Sequence, residues 1–156
     1  MDVYARLKEM GFELPELPPP GGVYAPVKRV GNLLYVSGQG ATVKGVPAVV
    51  GKVGDACTIE DGQRAAQMCC LNALSTLHHY LGDLNRLKGV VKILGFVASA
   101  PGFNMQPRVM DGCSVLLRDL FGPENGVAAR SAIGAGELPG DIACEVEFIF
   151  ELKDGE

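Results

Sequence analysis

The sequence predicts a two-layer α+β domain, with two helices packed on one face of a mixed sheet of about five or six strands. Three observations lead there. Thr58–Leu81 and Pro107–Phe121 repeat apolar residues at the helical period. Val23–Val30, Leu33–Gly38, Leu87–Ser99 and the end of the chain are β-prone and bounded by turn residues. The resulting order, (α)ββ(β)αβαββ, supplies helices for one side of a sheet and none for the other. A length of 156 residues fits one domain, with residues 1–20 forming a short helix and a Pro-rich connector ahead of it.

In Met1–Met10, Val3, Leu7 and Met10 share one side of a short helix that Gly11 ends. The following LPELPPPGG is barred from helix and inner strand by its prolines. Val23–Val30 and Leu33–Gly38 form a hairpin about Gly31-Asn32. Val46–Val53 contains Pro47 and reads as an edge or irregular strand. Thr58, with Asp61 three residues on, opens the long helix as a capping box, and Gly82 stops it. Its buried stripe is Ala66, Cys70, Ala73, Leu74, Leu77 and Leu81. Leu87–Ser99 is too apolar on both sides to be solvated on either, and Ala100-Pro101-Gly102 breaks it. Pro107 suits a first helical turn, Val109, Cys113, Leu116, Leu117 and Leu120 face the core, and Gly122-Pro123 ends the helix.

Ala129–Leu152 reads as a β-hairpin about Leu138-Pro139-Gly140-Asp141. In its second strand Ile142, Cys144, Val146, Phe148, Phe150 and Leu152 alternate with Ala143, Glu145, Glu147, Ile149 and Glu151. Antiparallel pairing sets Arg130 opposite Glu145 or Glu147 on the non-core face. Ala132, Gly134 and Ala135 leave little bulk on that second face, where Tyr35, Val91, Ile93 and Ile149 also fall. Such an uncovered apolar face predicts a closed homo-oligomer.

The formal net charge of −4 does not suit a protein that neutralises phosphates, and no Lys/Arg run exists. No nucleic-acid partner is expected, nor a membrane span or an export signal, so a cytoplasmic location is expected. The odd set of 5 cysteines has no C-x-x-C pair and reads as small buried hydrophobes in a reducing compartment. His78-His79 with Asp83 lacks a third convincing metal ligand.

Arg130 suits bidentate capture of a substrate carboxylate, or else a cross-strand pair with Glu147. Glu145 suits general acid/base work, but Glu147 and Glu151 share its parity and spacing does not choose among them. Ser37 lacks a nucleophile-elbow context and reads as a strand-end hydroxyl. Tyr24 reads as a pocket or rim residue.

Taken together, several motifs resemble one family. They are Tyr24, G-N-L-L-Y-V-S-G-Q at Gly31–Gln39, Asn72, Phe103, A-R-S-A-I-G at Ala129–Gly134 and L-P-G-D-I-A-C-E-V-E at Leu138–Glu147. The chain resembles the reactive-intermediate deaminase (RidA, YjgF-type) family, historically labelled endoribonuclease L-PSP. The likeness runs from about Gly22 to Leu152. The N-terminal helix, Val97–Phe103, Gln106–Val109 and Asp111–Leu117 look like a less-studied branch.

The resemblance implies a chorismate-mutase-like fold and a homotrimer with clefts between subunits. It further implies hydrolysis of enamine/imine intermediates, such as 2-aminoacrylate, to 2-keto acids and ammonia, with no cofactor or metal. Within it Arg130 binds the substrate carboxylate, and Glu145 rather than Glu147 orients water. Tyr24 and Ser37 match pocket positions, as does Ala132, which stands where Cys is frequent. The family's pocket Asn is replaced by Pro107, with Gln106 adjacent, which bears on substrate range and activity. The alternatives are a non-catalytic trimeric binder of small carboxylates and, against the acidic charge, RNA cleavage.

Overall fold

The computed structural model describes residues 2–17 and 22–155. Ten elements follow in chain order: α1 (Val3–Glu9), β1 (Val27–Val30), β2 (Leu33–Gly40), β3 (Thr42–Val43), β4 (Val46–Pro47), α2 (Ile59–Leu81), β5 (Leu87–Ala98), α3 (Gln106–Gly126), β6 (Ala129–Ala135) and β7 (Cys144–Leu152). Five strands form one mixed sheet in the order β1-β2-β7-β5-β6, and β3-β4 is a separate small hairpin. The helices α2 and α3 lie on one face, which gives the expected two-layer α+β architecture.

Local chemistry sets the element ends. The Thr58 hydroxyl accepts from the Asp61 amide at 3.1 Å, and the Asp61 carboxylate accepts from the Thr58 amide at 3.0 Å. This capping box opens α2, and Gly82 closes it in the left-handed region with φ 79°. Gly31, at φ 58°, turns the β1-β2 hairpin. In α3 the backbone leaves the helix at Gly122 (φ 81°, ψ 168°), where the sequence placed its end, and one further turn continues to Gly126. β1 is shorter than expected: Val23–Pro26 is bent chain. Val46–Val53 contributes only β4 and isolated bridges to the β-structure.

The core lies between the helices and the sheet. Leu74 and Leu77 of α2 and Met110, Leu117 and Leu120 of α3 are fully buried, as are Leu34 of β2 and Phe150 of β7. The alternation holds within β7, where Cys144, Val146, Phe148, Phe150 and Leu152 are buried, but just ahead of the strand Ile142 and Ala143 are both buried. The two helices cross at Gly112, where a Cβ would strike the Gln63 carbonyl. All five cysteines are buried free thiols. Burial pushes the Cys144 thiol up to about 12, so it packs as an inert hydrophobe.

The C-terminal hairpin is the main correction. β6 and β7 do not pair. β5 lies between them, parallel to β6 (Ile93↔Arg130) and antiparallel to β7 (Ile93↔Phe148). The reason lies in α3, the long crossover that a parallel β5-β6 pair requires. The 136–143 connection then spans β5 and returns the chain to the centre of the sheet. Four face assignments change with it, those of Ile93, Arg130, Ala132 and Gly134. Ile93 is 1% exposed and faces the helices. Ala132, level with Gly95 and Val146, also packs against the core. Tyr35 and Val91 do stand exposed, as does Ile133, which the sequence did not mark, and Tyr35, Ile133 and Ile149 lie on the face that no helix covers.

Candidate active site

The candidate residues fall into two groups on opposite sides of the sheet. The first lies where the edge strand β6 meets α3. Arg130 is level with the buried Ile93 and Phe148, so its side chain leaves β6 on the helix side. Its Nη1 donates to Asp111 Oδ1 at 2.9 Å and to Ser114 Oγ at 3.0 Å, both on α3. It makes no other hydrogen bond among the described residues. Ala132 and Gly134 follow on the same side. Gln106, at the start of α3, donates through Nε2 to Ser99 Oγ at 3.1 Å and to the Phe103 carbonyl at 2.9 Å. Its amide is next to Gly134, where a Cβ would come 2.9 Å from Nε2. Arg130, Ala132 and Gln106 thus lie along one seam, where β6 runs beside α3. Pro107 occupies the first turn of α3, where its missing N–H breaks no helical bond.

The second group lies on the open face. Glu145 is level with Gly40 and Phe96. The register of β2 against β7 shifts between Val36 and Gln39, and in that bulge Gly38 lies over the Glu145 carboxylate. Any side chain at Gly38 would strike Glu145 Oε1, so glycine is required for this approach. Glu145 is half-buried; burial first, and the nearby Glu147 charge second, hold its carboxyl above the ordinary carboxylate value. That shift favours a proton acceptor over a permanently ionised surface group.

The bulge is pinned from both sides. Ser37 Oγ donates to the Ala25 carbonyl at 2.7 Å, and the Ser37 amide donates to the Pro26 carbonyl at 3.0 Å. These bonds hold the segment carrying the exposed Tyr24 beside the bulge. From the helix side, buried Asn72 donates to the carbonyls of Gly40 and Thr42 at 3.0 and 3.1 Å. Gln39 donates to the Ser37 carbonyl at 2.9 Å. Next to the bulge, Ala25, Lys28, Tyr35, Ser37, Lys92 and Glu147 border an open concavity of about 530 Å³.

Arg130 and Glu145 therefore leave different faces of the sheet, three residue rows apart, and do not form the cross-strand pair that the hairpin reading placed on one face. Arg130 pairs with Asp111 instead. Neither Asp111 nor Ser114 was singled out from the sequence. Their i, i+3 spacing was the available signal, but nothing local says that β6 runs beside α3. His78 is engaged with Tyr4, whose hydroxyl lies 2.8 Å from Nδ1. Among the described residues no cluster of three His, Cys, Asp or Glu could hold a metal ion. Likewise, no described helix is long and apolar enough to cross a membrane.

Comparison with known proteins places this arrangement. Residues 4–152 match the family described as "YjgF/chorismate_mutase-like, putative endoribonuclease". The solved structure of protein Atu1372 from Agrobacterium tumefaciens, of unknown function, superposes with a TM-score of 0.86 at 40% identity, covering 96% of this chain and 91% of that one. Protein TCP17 of Trypanosoma cruzi is 38% identical over 97% of this chain and 95% of its own. A Dermatophagoides farinae protein named 2-iminobutanoate/2-iminopropanoate deaminase is 29% identical over 89% of this chain and 93% of its own. With a match spanning nearly its whole length and the corresponding fold, this chain belongs to the YjgF/chorismate-mutase-like family.

Proposed function

We propose that this protein hydrolyses small carboxylate-bearing imines and enamines, of the 2-aminoacrylate kind, to 2-keto acids and ammonia. The site is completed between copies of the chain in a homotrimer. The observation that carries the reading is Arg130. Its guanidinium is held at a sheet edge through Nη1 alone, leaving the Nε and Nη2 donors to receive a carboxylate as a fork. Glu145 supports it as a half-buried carboxylate of raised proton affinity. The name of the Dermatophagoides relative supports the substrate class.

In this scheme Arg130 holds the substrate carboxylate and Glu145, supplied by a second copy, orients and deprotonates water. The water oxygen adds to the imine carbon, and a proton passes to nitrogen. The C–N bond then breaks, leaving a carbonyl and ammonia. Such imines hydrolyse slowly without help, so positioning and general acid/base assistance are sufficient catalysis. Ser37 and Tyr24 shape the wall beside Glu145, and Ala132 and Gln106 shape the one beside Arg130. The exposed Tyr35 and Ile133 give the open face its reason to be covered by another copy.

The test generates an imine in situ with an amino-acid oxidase and follows 2-keto acid release. Acceleration by the wild-type chain, lost in Arg130→Ala and Glu145→Gln, is expected. No acceleration, or equal acceleration by Arg130→Ala, rejects the reading. Carboxylate-dependent thermal stabilisation without turnover replaces it with a binding role.

A further inference from the structure

We propose that Asp111 and Ser114 are positioning residues for Arg130, fixing which edge of its guanidinium is offered to a carboxylate. This inference rests on the reading of Arg130 as the carboxylate receptor.

The argument begins with the freedom of the arginine. Its side chain leaves an edge strand, is 24% exposed, and has several rotatable bonds. Left untethered, it would lose substantial entropy on ordering around a ligand. Asp111 and Ser114, three apart, project from one side of α3. That stretch of helix is rigid, because Met110, Cys113 and Leu117 between and beyond them are fully buried. Both acceptors engage the same nitrogen, Nη1, at 2.9 and 3.0 Å. They use the two hydrogens of that nitrogen and leave three donors, on Nε and Nη2, which form one edge of the fork. A random surface pair has no reason to concentrate two acceptors on one nitrogen.

Stability does not account for the pair. The Asp111 side chain is 51% exposed, and an ion pair so placed adds little to folding. Its negative charge also works against binding of a second carboxylate, although solvent screens it. The gain is orientation: the bound edge and the open edge are decided before a ligand arrives. Charge and orientation have opposite signs, so variants can separate them. Asp111→Asn keeps the acceptor oxygen and removes the charge. Asp111→Ala removes both.

The experiment measures calorimetric binding of 2-oxobutanoate, a stable product-like carboxylate, by the wild-type chain and by Arg130→Ala, Asp111→Asn, Asp111→Ala and Ser114→Ala. Thermal unfolding and light scattering check each variant's fold and assembly. Asp111→Ala is expected to weaken binding about tenfold, and Ser114→Ala less. Asp111→Asn should bind within about threefold of wild type, on the tighter side. In the imine assay the Asp111→Ala loss should fall on KM with kcat little changed. If both Asp111 variants bind more tightly, Asp111 acts only as a charge, and the proposal is overturned. Wild-type affinity in folded Asp111→Ala and Ser114→Ala overturns it equally. In either case a loss in Arg130→Ala leaves Arg130 as the receptor. If Arg130→Ala binds like wild type, or wild type does not bind, the receptor reading fails and this inference with it.

Discussion

At the residue scale, the two ends of the proposed reaction depend on environments that the sequence does not display. Glu145 and Glu147 have the same parity on β7, and nothing local distinguishes them. The fold does, because Gly38 covers Glu145 and burial raises its proton affinity, while Glu147 stands exposed at the concavity. A pH dependence follows. The acid limb of kcat/KM should lie above the ordinary carboxylate range, since Glu145 must be ionised to accept a proton. Glu147→Gln removes the like charge that contributes to the shift, so it should move that limb toward lower pH. A limb that stays in place or moves up would falsify the assignment of Glu145 as base. Stability has its own sign. A raised folded-state pKa means that the native chain binds the proton more tightly. Its stabilisation is full below the unfolded value and is lost as pH rises through the folded one. Glu145→Gln should therefore unfold at a higher temperature than wild type near neutral pH while losing activity.

At the scale of elements, what was legible was local. Helix α2 announces itself through Thr58, Asp61 and Gly82, all within its own span, and β7 through strict alternation. The partner of each element was not legible. Leu138-Pro139-Gly140-Asp141 reads as a hairpin turn, yet its short 3-10 turn belongs to a connection that passes over β5. The docking of α1 is similar. Val3 and Leu7 mark its buried side, but the bonds that seat it come from residues far along the chain. The Leu84 amide donates to the Tyr4 hydroxyl at 2.8 Å, and that hydroxyl also lies 2.8 Å from His78 Nδ1. The Val3 amide donates to Asn85 Oδ1 at 2.8 Å. Tyr4→Phe keeps the ring against His78 and strands the amide of Leu84, a residue with no exposed surface. A loss of about 2 kcal/mol is expected, or a fall of roughly 4–8 °C in Tm for a domain of this size. Thermal unfolding at fixed protein concentration measures it, and an unchanged Tm would show that the Tyr4 hydroxyl does not help to seat α1.

At the scale of the whole molecule, the opposite placement of Arg130 and Glu145 becomes the argument for assembly. A single sheet cannot bring a helix-side arginine on its edge strand and an open-face glutamate three rows away to one small substrate. Two copies can, if the β6 edge of one meets the open face of the next. That face carries the bulge at Gly38 and the exposed Tyr35 and Ile133. Such a contact would be heterologous, one patch against a different patch, and heterologous contacts close into rings when the rotation allows. This geometry makes a quantitative prediction. Arg130→Ala and Glu145→Gln chains, each expected to be inactive alone, are co-expressed in equal amounts. A site is intact when the Glu145→Gln chain supplies its arginine and the Arg130→Ala chain supplies its glutamate. In a randomly mixed trimer this holds for about one site in four, so about a quarter of wild-type activity should return. If both groups served the same site from one chain, no mixed site would hold both, and the activity would stay at that of the single variants. Ile133→Asp, which places a charge on the open face, should dissociate the assembly by light scattering and abolish the recovery. Recovery that survives dissociation would mean that the two halves do not meet across this face.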